Sequence, residues 1–224
     1  MLGDARGTTV FRQDGIVYTP RVMSPTVDND VSQRLLDAAE RLFYERGVQA
    51  VGVDAVVAEA GVATKTLYAR FGSKDGLVEA YLRRRDRRWL TWLRDAVDAA
   101  EPGPARVLAV FDALGQWFAQ PTYNGCAFIN IAGELAPSPM ARSIARDHKV
   151  ALRALLVDVA AGAGVTDPAT LADWLMLLVE GAIITAHVEH DTVAAQRACS
   201  AAAALLQLDR LTSSHHIVGP SPRN

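Results

Sequence analysis

Cysteine is nearly absent from this chain: Cys126 and Cys199 are the only two in 224 residues, with no CxxC and no clustered Cys/His pattern. That excludes a disulfide framework and a zinc site of ordinary spacing, and it leads us to expect a reduced, cytoplasmic setting. No uninterrupted apolar run approaches the ~18–20 residues that span a bilayer. Leu171 to Ile184 comes nearest, and Asp173 and Glu180 interrupt it. The N-terminus lacks the charged-then-apolar order of a signal peptide, so no membrane partner is expected. No stretch alternates with a period of two for long enough to make a strand. There is no Gly-rich phosphate loop after a strand, no GxSxG, and no HExxH among the five histidines. A strong charge of one sign is missing too. The net charge of −2 argues, taken whole, against a nucleic-acid binder.

What is present is a half-hydrophobic chain long enough for one large core or two domains. Its charge is unevenly placed. Residues 31–88 carry eleven Lys and Arg against eight acids, and residues 89–224 carry nine against thirteen. A basic excess confined to one segment is what phosphate attraction requires.

Residues 1–30 hold Gly, Thr, Asp and prolines without a helical period, and read as a disordered arm. They are alternatively an upstream extension, if translation begins at Met23 rather than Met1. Val31 to Arg46 is amphipathic, with Leu35, Leu36, Ala39, Leu42 and Phe43 in one stripe and Gly47 ending it. Val53, Val56, Val57 and Ala60 then share a helical face. Gly61 is a residue that can take the left-handed turn ending a helix. Val62 and Leu67 are apolar where a second short helix must lean back on the first. Thr64, Lys65 and Thr66 are left exposed at its start, with Tyr68 and Arg70 one turn on. Short helix, tight turn, short helix is the sequence form of a helix-turn-helix, whose second helix enters the DNA major groove by its N-terminal residues.

The run Gly61-Val62-Ala63-Thr64-Lys65-Thr66-Leu67-Tyr68, followed by Phe71, Ser73-Lys74-Asp75 and Leu77, resembles the DNA-binding domain of the TetR family of transcriptional regulators. Leu36, Ala39, Leu42, Phe43 and Gly47 also fall where that family has its first helix. The match covers roughly Val31 to Leu82. Three positions depart from the pattern: Gly52 stands in place of a Thr or Ser cap, Val57 where Ala is usual, and Ala63 where Ser is usual. The resemblance implies an all-α protein. Residues 31–78 would form an N-terminal three-helix bundle with the helix-turn-helix, and 79–212 a C-terminal helical regulatory and dimerisation domain. Residues 213–224 would be a loose tail. It implies a repressor that binds double-stranded operator DNA, palindromic if the protein is a homodimer, and that a small molecule releases. DNA contact would come from Thr64, Lys65, Thr66, Tyr68, Arg70 and Lys74. Arg6, Arg12 and Arg21 could add reach from the arm. No cofactor is expected.

Downstream, Ser73 caps a helix running to about Ala100, some 42 Å at ~1.5 Å per residue. Its run Arg83-Arg84-Arg85-Asp86-Arg87-Arg88 is expected to be a solvated face, the alternative being a supporting role near the DNA or against the other domain. Further helices follow from Ala105, Cys126, Met140, Thr166 and Asp191. An apolar sensor pocket needs concave space with a few polar groups. The candidates are Trp92, Phe111, Trp117, Phe118, Phe128 and Trp174, with Asn130 and His148 to orient a ligand. The rival class is a helical small-molecule-binding or enzyme-like domain without DNA binding. It would need Cys126 and His148 to pair as nucleophile and base, yet Cys126 sits in an apolar run that favours simple burial. His187 and His190 are conceivable as a surface metal pair, and Asp173 and Glu180 as a carboxylate pair. Solvated ends and neighbouring-helix partners explain both more simply.

Overall fold

The computed structural model describes residues 27–136 and 138–215. The expected arm, with Arg6, Arg12, Arg21 and the alternative start at Met23, lies outside the described residues, as does the end of the tail. Among the described residues there are nine helices and no strand. They are α1 (Val27–Arg46), α2 (Val53–Ala60), α3 (Thr64–Phe71), α4 (Lys74–Asp98), α5 (Pro104–Phe118), α6 (Ala127–Glu134), α7 (Pro139–Gly162), α8 (Pro168–Val188) and α9 (Ala194–His215). The fold is all-α, as expected. α1 starts earlier than Val31 and α9 runs on to His215, past the expected end near Leu211.

Helices α1 to α3 form the N-terminal bundle. Leu35, Leu36, Ala39, Leu42 and Phe43 of α1 are buried against Val56, Val57 and Ala60 of α2 and Leu67 of α3. Gly61 takes the left-handed conformation, φ 63° and ψ 42°. Its N–H and that of Val62 return to the Ala58 and Val57 carbonyls at 3.2 and 3.0 Å, which closes α2 and turns the chain into α3. Neither Gly52 nor Ala63 supplies a side-chain cap.

α4 belongs to both halves. Ser73 caps it by accepting from the Gly76 N–H at 3.0 Å. Its first turns, with Leu77, Val78, Tyr81 and Leu82, complete the bundle core, and Leu93 and Val97 pack among α5 and α7. A side chain at Gly76 would place Cβ 2.1 Å from the Phe71 carbonyl oxygen, so the backbone itself requires glycine there.

α8 packs most extensively on α7 and α9. Among the described helices it alone is long and apolar enough to cross a membrane by length and composition. Here it is a bundle helix. Its two acids meet α7, Asp173 with Arg153 at 2.6 Å and Glu180 with Lys149 at 2.6 Å. The carboxylate pair imagined from sequence is therefore two separate ion pairs. Asp167 caps α8 through the Thr170 N–H, and Asp191 caps the start of α9 through the Val193 N–H.

Candidate nucleic-acid interface and the domain junction

The outer face of α3 is short, open and basic. Lys65 and Arg70 are exposed and Tyr68 is 48% exposed, while Thr64 and Thr66 are half-buried. Leu67, fully buried on the opposite face, fixes the helix on the bundle. An eight-residue helix held by one buried leucine and two glycine-ended turns presents its N-terminal residues outward, which is the geometry of groove entry. Lys74 stands apart from the others. Its Nζ donates to the Val48 carbonyl at 2.6 Å, tying the start of α4 to the turn between α1 and α2.

The arginine run of α4 is not a solvated face throughout. Arg83 pairs with Glu79 one turn back, and Arg87 and Arg88 are exposed, as expected. Arg84 is buried. It reaches across to α1, meeting Asp37 at 2.8 Å, Glu40 at 2.7 Å and Gln33 at 3.2 Å. Arg85 and Arg88 also meet Glu40, at 3.4 and 3.1 Å, and the Arg85 guanidinium lies 3.8 Å over the Tyr44 ring. A buried guanidinium is retained only with partners of this kind. The run is a clamp between α1 and α4.

Two further contacts tie the end of α1 to the C-terminal half. The Tyr44 hydroxyl donates to the Gly125 carbonyl and accepts the Asn124 N–H, both at 2.8 Å. Asn124 Nδ2 donates in turn to the Tyr44 carbonyl at 2.6 Å. The Glu134 carboxylate, closing α6, accepts the N–H groups of Val48 and Gln49. Gly47 has φ +85° there, and a Cβ would meet Glu134 Oε1 at 2.9 Å.

Between α1, α4, α5 and the loop after α5 lies an open cleft of about 920 Å³. Tyr44, Trp89, Trp92, Trp117 and Tyr123 form its aromatic wall, and Asp37, Glu40, Arg41, Glu45, Arg85 and Arg88 its charged rim. Trp117 is the hub of the wall, edge-to-face with Trp89, Trp92 and Tyr123 at centroid separations of 5.6, 6.5 and 5.0 Å, while Trp89 and Trp92 are tilted to one another at 5.9 Å.

Of the residues expected to touch a ligand, Trp92 and Trp117 line this cleft. Phe118 packs behind it on Trp117 and Tyr123. Phe111 is buried and borders instead a separate groove between α5 and α9. Phe128 is stacked on His148 with centroids 3.9 Å apart, and His148 is itself buried with Nδ1 2.7 Å from Asp86. Asn130 is spent on the loop, donating to the Asn124 carbonyl at 2.9 Å. Trp174 is 49% exposed on α8 and lies away from the cleft. The cleft residues Tyr44, Arg85, Arg88 and Tyr123 carry no sequence signal for it, whereas Trp89, one turn before Trp92, belongs to the same set of aromatics from which the candidates are drawn.

Cys126 is buried, and the near partner of its thiol is Lys149 Nζ at 3.6 Å, whereas His148 turns to Asp86. The two do not form a nucleophile–base pair. Among the described residues no group of three or more His, Cys, Asp and Glu side chains is placed to hold a metal ion.

Residues 35–81 match the family model described as bacterial regulatory proteins, tetR family. An uncharacterised helix-turn-helix-type transcriptional regulator of Mycobacterium tuberculosis is 34% identical over 97 residues, 39% of this chain and 48% of its own. The Escherichia coli transcriptional repressor ComR is 33% identical over 104 residues, 46% of this chain and 50% of its own. The chain thus spans about half the length of the curated relatives it matches. Solved structures match over more of it. A TetR-family regulator of Streptomyces coelicolor superposes with TM-score 0.74 at 27% identity, over 81% of this chain and 96% of that one. A TetR-type regulator of Streptomyces avermitilis is 30% identical, over 77% of this chain and 97% of that one, with TM-score 0.63.

Proposed function

The chain belongs to the TetR family of bacterial transcriptional regulators, and from that premise we propose that it is a homodimeric, cytoplasmic repressor. It binds a palindromic operator through α3 and is released by a small, mainly apolar ligand. The observation that carries this reading is the outward face of α3, with Lys65, Tyr68 and Arg70 exposed and Leu67 anchored behind them. Thr64 and Lys65 open the helix and face base edges. Thr66 and Tyr68, with Arg70, hold phosphates. One such helix makes few base contacts, and a two-fold pair roughly doubles them.

Support for the dimer comes from α8 and α9. Trp174, Leu177, Ile184 and Val188 are exposed on α8 at spacings of three, seven and four residues, with Gly181 at the middle of the stripe, and Leu208 and Leu211 are exposed on α9. A coiled-coil-like stripe left open on two adjacent helices suits a four-helix interface with a second copy. Support for ligand control comes from the cleft, which touches α1 of the reading head and α4 and α5 of the other half at once. Ligand binding there would tilt α4 against α1 and spoil the spacing of the two heads. The ligand must favour the released form by a coupling energy of typically ~1–3 kcal/mol.

The test is light scattering together with a gel shift on DNA upstream of the coding sequence. A dimer that shifts this DNA, with Leu177→Asp both monomeric and inactive, is the expected outcome. A chain that is monomeric at micromolar concentration or shifts no DNA would instead be a helical small-molecule-binding protein.

A further inference from the structure

The cleft at the domain junction has a chemistry of its own, and we propose that it takes a planar aromatic carboxylate whose anionic end competes with Glu40 for Arg85 and Arg88. This rests on the sensor reading above and adds the class of ligand and its point of attack. The aromatic part follows from the wall. Trp117 stands edge-to-face with Trp89, Trp92 and Tyr123 along one side, an arrangement that a further flat ring extends with the same quadrupole preference. A volume of about 920 Å³ accommodates two or three fused rings.

The sign of the charge follows from the ion pairs at the rim. Three guanidiniums, those of Arg84, Arg85 and Arg88, share the two carboxylates of Asp37 and Glu40. The other charged lining groups are matched outside this set, Arg41 by Glu59 and Glu45 by Arg46. Arg85 and Arg88, the two of these guanidiniums that line the cleft, thus have no carboxylate of their own and share Glu40 with Arg84. Arg85 and Glu40 are mostly buried, with side chains 12% and 23% exposed, so water screens these charges less than it would on an open surface. A cationic ligand would be repelled by these two guanidiniums, and a neutral one would leave them sharing a single carboxylate.

The position of Glu40 gives the site its consequence. Glu40 is the α1 end of the clamp, and Arg85 and Arg88 are its α4 end. A ligand carboxylate that draws these two arginines away leaves Glu40 with Arg84 alone. The bond between the reading head and the long helix is then weakened where the two would have to move.

The test uses the full chain with two probes, 2-naphthoate and its neutral isostere 2-naphthamide. Binding is followed by quenching of the wall tryptophans and by calorimetry. The naphthoate is expected to bind at least about tenfold more tightly than the amide, the scale of one charge-assisted hydrogen bond. Arg88→Gln should cut that preference below about threefold, Arg88→Lys should restore part of it, and Trp92→Ala should weaken both probes. Equal or tighter binding of the amide, a preference that survives Arg88→Gln, or no binding of either probe at millimolar concentration overturns the proposal. A gel shift separates this result from the sensor reading. Naphthoate that binds with the stated preference yet leaves the DNA complex intact removes the sensor and keeps the site. DNA released by neutral compounds, with no preference for naphthoate, removes the site chemistry and keeps the sensor.

Discussion

The carboxylate of Glu134, the last residue of α6, accepts the backbone N–H of Val48 at 3.0 Å, bridging the regulatory half to the turn between the first two helices of the reading head. It also accepts the Gln49 N–H, and the Gln49 side chain donates back to the Glu134 carbonyl. Gly47 is needed at the approach, both for its φ of +85° and because a side chain would strike this carboxylate. Lys74 holds the Val48 carbonyl from the other side. One turn of backbone is thus gripped by α4 and α6 together.

Removing the acceptor should loosen that grip. Glu134→Ala leaves two N–H groups to water or to nothing, and is expected to cost about 1–2 kcal/mol, given partial exposure. Glu134→Gln keeps an acceptor oxygen and should cost less. Denaturant unfolding of the two variants checks the order. Equal loss in both would mean that packing, not the hydrogen bonds, holds the turn.

Gly76→Ala gives opposite answers from helix propensity and from contact. Propensity alone predicts a gain of up to about 1 kcal/mol for alanine inside a helix. The Phe71 carbonyl oxygen, 2.1 Å from the added Cβ, is backbone and cannot swing aside. A loss of about 1–3 kcal/mol is expected, the range for overpacking. Thermal unfolding gives the sign directly, and a raised Tm would contradict the contact.

His148 should make the fold acid-sensitive. Burial pulls its pKa down from 6.5 to about 4, against the opposing pull of the Asp86 hydrogen bond and with Lys149 adding to the decrease. The unfolded chain takes up a proton near pH 6.5 that the folded chain refuses until about pH 4. Stability from this group is therefore complete above pH 6.5 and is lost as the pH falls toward 4. At pH 5 the loss amounts to about 2 kcal/mol. Comparing the fall in stability from pH 7 to pH 5 in the wild type and in His148→Gln isolates it. Identical slopes would show that His148 titrates normally.

How much of this was legible in the sequence depended on how far each residue must reach. The helix-turn-helix is local: Gly61 ends α2, Leu67 turns inward, and Lys65 faces out, all within a dozen residues of one another. The arginine run was misread because its meaning lies in Glu40 and Asp37, which are more than forty residues away on another helix. The cleft draws on α1, α4, α5 and a loop, so no single stretch could carry its pattern. Tyr44 carries no signal because its partners, Asn124 and Gly125, lie far along the chain, and Asn130 reads as a ligand-orienting group although the loop holds it. Trp174 reads as a pocket residue, yet α8 is apolar on more than one face. Periodicity then cannot tell the face against α7 and α9 from the face left open.

The most direct test is the salt dependence of binding to DNA upstream of the coding sequence, measured by fluorescence anisotropy for the wild type and for Lys65→Ala. The wild type is expected to lose affinity steeply and linearly in log–log form as salt rises. Lys65→Ala should weaken binding to this DNA by roughly 1–3 kcal/mol, with a smaller effect on unrelated sequence, if Lys65 reads a base edge. Affinity unchanged by Lys65→Ala at every salt concentration would contradict recognition through α3.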